Sequence, residues 1–155
     1  DEGGRLARGG TLDQDVLLAL LHNPYFAKTP PKSLDRDDFA DAIQSVSGLS
    51  AEDGAATLSA FSVAAIVHGQ EHFPEPAKRW LVCGGGRLNG TLMELMTRSL
   101  GTPVDPIEAV DLNGDALEAQ AFAFLAIRSF YGMPLSLPVT TGSPRPLNGG
   151  ILYES

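Results

Sequence analysis

The sequence predicts an α/β fold, rich in helix and built round a small sheet. Apolar residues recur at helical spacing in five separate stretches. Between the third and fourth lies the run Arg79-Trp80-Leu81-Val82-Cys83-Gly84-Gly85-Gly86-Arg87-Leu88-Asn89-Gly90. It reads as a short buried strand, a triple-glycine turn and the start of a helix. Residues 103–110 supply a second short strand or an extended edge. A sheet of two or three strands is thin for a self-sufficient α/β domain, so its missing strands are expected in sequence outside these 155 residues.

The elements follow in order. Residues 11–22 form a first helix, with Val16, Leu17, Leu20 and Leu21 as its apolar stripe, and Asn23-Pro24 stops it. Thr29-Pro30-Pro31-Lys32-Ser33 is extended and stiff, because proline fixes φ and lacks an N–H. Asp35 or Ser33 caps the next helix, on which Phe39, Ala42, Ile43 and Val46 share a face. Ser50 with Asp53 resembles a capping box and opens a longer helix through Leu58, Phe61, Ala65 and Ile66. A polar connector over residues 69–78 leads to the strand.

After the glycines, Leu92, Met93, Leu95 and Met96 carry a helix that ends at Gly101. Asp115 and Glu118 signal another start, and this helix runs through Phe122, Phe124, Leu125 and Ile127 to Gly132. Apolar residues cover most of its circumference, which predicts burial on more than one side. In the tail, rich in Pro, Gly, Ser and Thr, Ile151-Leu152-Tyr153 is expected to pair as a strand.

Composition narrows the function. The net charge of −8 argues against general nucleic-acid binding, which relies on Lys and Arg to neutralise phosphates. No apolar run is long enough to span a bilayer, and the charged, glycine-rich start at Asp1-Glu2-Gly3-Gly4-Arg5 does not resemble a signal peptide. The single cysteine allows no intrachain disulfide, and cytoplasmic residence is the simplest reading. Cys83 is expected to be a buried, inert thiol. His22, His68 and His72 have no spacing that suggests a triad or a metal site, so no metal ligand is assigned.

The glycine turn is the chemical feature. Three glycines bare the main chain where a strand ends, and a helix N-terminus beyond them favours anions. This pattern fits a phosphate or nucleotide site and equally fits a bare turn. The spacing matches neither G-x-G-x-x-G nor G-x-x-x-x-G-K-[ST].

Four stretches together resemble the C-terminal part of the anhydro-N-acetylmuramic acid kinase family, within the sugar kinase/Hsp70/actin superfamily. The first is Asp1-Glu2-Gly3-Gly4 with Ala7-Arg8-Gly9-Gly10. The second is Leu20-Leu21-His22-Asn23-Pro24-Tyr25-Phe26 running into Pro30-Pro31-Lys32-Ser33. The third is Val82-Cys83-Gly84-Gly85-Gly86 with Asn89 and Leu92-Met93. The fourth is Leu117-Glu118-Ala119-Gln120-Ala121-Phe122-Ala123, then Gly132-Met133-Pro134 and Leu137-Pro138-Val139-Thr140-Thr141-Gly142. The resemblance covers essentially the whole chain, residues 1–155, as a single lobe.

The resemblance implies a C-terminal ribonuclease-H-like lobe of a two-lobe kinase, holding the adenosine side of ATP. Such enzymes use ATP, Mg2+ and water to open the 1,6-anhydro ring of anhydro-N-acetylmuramic acid and phosphorylate O6. The product, N-acetylmuramic acid 6-phosphate, arises in cell-wall recycling. By this carry-over the N–H groups of Gly84, Gly85 and Gly86 lie along the nucleotide. Asn89 either contacts it or simply caps the following helix. Glu118 faces the sugar, although a Glu three residues after Asp115 also fits a capping box. Lys32 reads as a surface lysine, and Arg128 as a partner of its helix C-terminus rather than a phosphate ligand.

The resemblance implies a homodimer as well. The family's G-T-S-x-D-G phosphate loop and its D-T-G-type general base are absent here and expected upstream of Asp1, so no catalytic residue is assigned and this chain alone is expected to be inert. The alternatives are a non-catalytic nucleotide-binding or regulatory module of the same superfamily, and a structural domain whose glycine turn binds nothing.

Overall fold

The computed structural model describes residues 1–153, with the side chain of Arg36 left aside. It is a helix-rich α/β structure with a two-stranded parallel sheet. Its helices are α1 (Arg5–Gly9), α2 (Gln14–Leu21), α3 (Ala40–Ser45), α4 (Ala51–Gly69), α5 (Gly90–Leu100), α6 (Leu117–Phe130) and α7 (Pro138–Thr141). Its strands are β1 (Trp80–Val82) and β2 (Val104–Pro106), paired as Trp80 with Val104, Leu81 with Asp105 and Val82 with Pro106. The crossover between the strands is α5, as parallel pairing requires.

Capping chemistry sets most helix boundaries. Asp13 accepts from the Val16 N–H to open α2. Asp35 and Asp38 form a reciprocal box ahead of the 3-10 turn Arg36–Phe39, which leads into α3. Ser50 accepts from the Asp53 N–H to open α4, and α5 ends at Gly101, in the left-handed region at φ +66°.

Helix α4 is the spine. One of its faces packs Phe61 with Leu20 of α2, Ala42 of α3, and the half-buried Phe26, Phe39 and Leu58. The Phe39 and Phe61 rings meet edge to face at 5.3 Å, and Phe26 meets Phe61 likewise at 6.0 Å. The opposite face packs Val63 with Met96 and Leu100 of α5, closed by Trp80, Val82 and Val104 of the sheet. The first two turns of α4 are tied to the chain before α2 by polar contacts. Thr57, fully buried, accepts from the Asp13 N–H at 3.0 Å and donates to the Asp53 carbonyl at 2.8 Å. The Asp53 carboxylate accepts from the Thr11 N–H at 2.6 Å. That bond, then the one with Ser50, holds the Asp53 carboxyl below its ordinary value.

Several expectations need correction. The strand is half-buried rather than fully buried, and Leu81 is 40% exposed, because helices cover only one face of the sheet. Ile43 is exposed, because it lies outside the Leu20, Ala42 and Phe61 cluster on the rim of an open groove beside Leu58 of α4. Helix α6 buries none of its residues, and Phe122, Phe124, Ile127 and Phe130 are each more than half exposed. Its apolar circumference finds no facing element among the described residues. Ile151, Leu152 and Tyr153 are exposed and form no strand. The only pairing in the tail is an antiparallel bridge between Ser136 and Leu147 among the described residues.

Thr57 yields the first prediction. Thr57→Val keeps the shape of the site but strands the half-buried Asp13 N–H, so the intact protein should lose about 1–2 kcal/mol in urea denaturation. Thr57→Ser should recover most of that loss, and equal losses in both variants would mean that the hydroxyl is not the stabilising group.

Candidate functional site: the glycine turn and its arginine fork

Strand β1 ends at Val82, and the chain then emerges from the core. Cys83 is exposed, not buried, because the strand stops before it and the turn lifts it off the sheet. Gly84 sits at φ +69°, ψ −170°, a region essentially closed to residues with a Cβ. This conformation swings the chain into the 3-10 turn Gly85–Leu88, closed by Arg87 N–H donating to Gly84 O at 3.3 Å and Asn89 N–H to Gly86 O at 3.1 Å. Among the described residues, the N–H groups of Gly84, Gly85 and Gly86 have no hydrogen-bond acceptor. Gly84 and Gly85 are exposed, and a Cβ built on either would meet nothing within 4 Å. The turn is thus an open stretch of main chain with unspent donors.

Arg87 holds it in place. Its side chain is only 5% exposed. The guanidinium Nε donates to Glu108 Oε1 at 2.8 Å, one terminal nitrogen to Asp115 Oδ1 at 2.6 Å, and the other to the Gly84 carbonyl at 3.0 Å. Gly114 lies against this fork, where a Cβ would run into the guanidinium and the Glu108 carboxylate, and its N–H donates to Glu108 Oε1 at 3.2 Å. One side chain therefore links the glycine turn, the 3-10 turn Ile107–Val110 after β2, and the loop that starts α6. The Asp115 and Glu108 bonds raise the Arg87 pKa further. The Glu108 carboxyl is held below its ordinary value by its own backbone N–H, then by Arg87, then by Gly114.

Asp115 is consequently not the cap that its D-x-x-E spacing suggested. Its carboxylate goes to Arg87, and Ala116 precedes α6 with no side-chain cap. Glu118 makes no reciprocal box. It stands in the first turn of α6, exposed and without a hydrogen-bond partner among the described residues. The fork ties the loop before that turn to the Gly84 carbonyl through Arg87 and Asp115. Asn89 caps α5, its Oδ1 accepting from the Leu92 N–H at 2.9 Å.

The first turn of α5 does not open directly from the glycines. The Gly85–Leu88 turn intervenes, and α5 packs against the start of the chain. Thr91 Oγ1 donates to Gly4 O at 2.7 Å and accepts from Arg8 Nε at 3.3 Å, while the Asp1 carboxylate takes the Leu6 and Ala7 N–H groups at 2.9 and 3.0 Å. The Asp1-Glu2-Gly3-Gly4 motif and the Asn89 end of the glycine run therefore meet.

Lys32 and Arg128 lie elsewhere. Lys32 is half-buried, its Nζ donating to Tyr25 O at 3.1 Å and lying 4.6 Å from the centre of the Tyr25 ring. Arg128 donates to Pro134 O at 2.8 Å and lies against Phe124, which agrees with a role at the helix C-terminal end. Sequence reading missed Arg87 as the organiser. Its partners are 21 and 28 residues away, and the only local signal was a lone arginine inside a glycine turn.

The fold and this region define an α/β protein of the strand, open main-chain turn and helix type, with an acidic helix start beside the turn. A family model described as anhydro-N-acetylmuramic acid kinase matches residues 1–155. A relative from Rhodospirillum rubrum, named anhydro-N-acetylmuramic acid kinase, is 59% identical over all of this chain and 41% of its own length. Relatives of the same name from Paramagnetospirillum magneticum and a Ruegeria species are 56% and 51% identical, over 97% of this chain and 42% and 40% of theirs. The chain belongs to the anhydro-N-acetylmuramic acid kinase family, and it spans about two fifths of the length of the relatives it matches. Among the described residues no helix is long and apolar enough to cross a membrane.

The fork has a pH signature. Glu108 is depressed, so its stabilisation is complete above the ordinary glutamate range and disappears as pH falls through its lower folded value. Arg87→Gln should lower the melting temperature at neutral pH, and the gap to wild type should narrow as the pH drops below about 4. A gap unchanged down to that pH would show that the carboxylates do not stabilise the turn through Arg87.

Proposed function

We propose that this chain is the C-terminal, nucleotide-holding lobe of an ATP-dependent kinase acting on anhydro-N-acetylmuramic acid. In this reading the enzyme opens the 1,6-anhydro bond with water and phosphorylates O6, giving N-acetylmuramic acid 6-phosphate. The observation that carries the proposal is the row of unpartnered N–H groups at Gly84, Gly85 and Gly86, held rigid by Arg87. Oriented main-chain donors suit the oxygens of a nucleotide, and a turn without side chains lets it approach closely. Family membership supports the same reading.

ATP supplies the phosphoryl group. The chain's own part is to bind and orient, with the glycine N–H groups along the nucleotide and Asn89 fixing where α5 begins. Glu118, unpaired in the first turn of α6, accepts hydrogen bonds from the sugar hydroxyls. Mg2+ is the expected counter-ion of the triphosphate. Among the described residues no group of three or more His, Cys, Asp or Glu lies together to hold it. The general base that activates water is assigned to the other lobe, since a base must lie within hydrogen-bond reach of its proton.

Gly85→Leu is the direct test. Gly85 has no left-handed φ and open space at its Cβ, so the variant should fold as wild type while obstructing the turn. In the intact protein, calorimetric ATP affinity should fall about tenfold or more, the worth of one or two charge-assisted hydrogen bonds. Unchanged affinity would sink the nucleotide assignment. Glu118→Gln should lower kcat/KM for the anhydro sugar by about tenfold while leaving ATP affinity within about twofold. ATP binding without sugar-dependent ADP release in the wild-type protein would instead favour a non-catalytic nucleotide module.

A further inference from the structure

The Gly84–Gly85 peptide joins the glycine turn to the fork. Its carbonyl accepts from the Arg87 guanidinium at 3.0 Å and from the Arg87 main-chain N–H at 3.3 Å. This peptide is trans and planar, so its C=O and N–H point to opposite sides. The Gly85 N–H is thus directed away from the guanidinium, and Gly85 itself is exposed. A charge-assisted bond on the carbonyl also polarises the peptide and strengthens its N–H as a donor. The effect runs both ways. An acceptor that takes the Gly85 N–H tightens the hold of Gly84 O on Arg87.

The other end of the fork reaches α6. Asn113 Oδ1 accepts from the N–H groups of Asp115 and Ala116 at 2.9 and 3.1 Å, and Ala116 O accepts from the Gln120 N–H as the helix begins. The Asp115 carboxylate is left to bond Arg87, two residues before α6 starts and three before Glu118. The two carboxylate arms differ. The Arg87 side chain is 5% exposed, but that of Asp115 is 79% exposed and that of Glu108 46%. Glu108 is held by the Gly114 N–H as well, whereas Asp115 has its ion pair alone to set against water. An exposed ion pair contributes little by itself, so the Asp115 arm has two settings, on Arg87 or in solvent.

We propose that Asp115 is a positioning residue that couples a nucleotide on the glycine turn to a sugar at Glu118. A nucleotide that takes the Gly85 N–H strengthens the Gly84–Arg87 bond, fixes the guanidinium and favours the closed Asp115 arm. The closed arm orders the first turn of α6, and the sugar then meets a Glu118 that is already held. The first ligand orders what the second needs, so the sign is positive. By linkage each ligand tightens the other by the same factor. The inference rests on the nucleotide and sugar reading above and adds the element that joins the two sites.

The test uses calorimetry on the intact protein with a non-hydrolysable ATP analogue and anhydro-N-acetylmuramic acid. Each ligand is titrated alone and in the presence of the other, in wild type, Asp115→Asn, Asp115→Ser and Glu108→Gln. Coupling is the ratio of the two affinities for one ligand. A substitution that merely loosens one site moves both affinities and leaves the ratio alone. Wild type should give a ratio of about five or more, equal in both directions. Both Asp115 variants should bring it to within about twofold of one, and Glu108→Gln, which loosens the fork off the path to α6, should keep it. Melting curves check that the variants fold, and the exposed Asp115 tolerates either change. A wild-type ratio near one overturns the proposal. So does a ratio that survives both Asp115 variants, or one that falls equally in Glu108→Gln. If wild type fails to bind either ligand in the single titrations, the underlying reading falls and this proposal with it. Binding of both ligands without coupling overturns this proposal alone.

Discussion

Everything near the turn depends on one buried guanidinium. Three separate connections converge on Arg87: the glycine turn after β1, the 3-10 turn after β2, and the loop before α6. Parallel strands need such help. Their short pairing fixes only the direction of the chain, and here three residues a side leave the chain beyond each strand end without further constraint. The planar, forked donor geometry of arginine lets one side chain satisfy two carboxylates and a carbonyl at once, which the point charge of lysine would not reproduce. Gly114 is part of the same arrangement, since only a residue without a Cβ leaves room for the fork.

The consequence for function lies in what remains free. The fork uses the Gly84 carbonyl and the carboxylates of Glu108 and Asp115, and leaves the three glycine N–H groups and the Glu118 carboxylate unspent. The cap at Asn89 and the contacts of Thr91 with Gly4 brace the far end, so the turn is held at both sides.

Local chemistry was legible in the sequence where a single residue decides a helix end. Ser50 before α4, Asn89 before α5 and Gly101 after it all follow from capping rules that operate within four residues. The strand, glycine turn and helix order followed from the same short-range signals. Long-range partners were not legible. Nothing near Arg87 in sequence announces Glu108 or Asp115, and once Asp115 is drawn to the arginine the capping box it seemed to form disappears. Cys83 and Leu81 were misjudged because burial depends on what covers the second face of the sheet, and periodicity does not report that. Helix α6 was read as buried from its composition, but composition does not supply a neighbour, and none of its residues is buried among the described residues.

Helix α4 places Phe61 in one packing cluster and Val63 in the other, two residues apart on opposite sides of one cylinder. No boundary exists along which the two halves can separate without breaking that helix. The aromatic half, with its Tyr25–Phe26 corner, and the half that carries the sheet are thus two ends of one lever. A disturbance at the Phe26 ring can tilt the axis that supports Trp80 and Val82, and with it the root of the glycine turn. Residues far from the turn, such as Phe26, therefore belong to the same mechanical unit as the root of the turn.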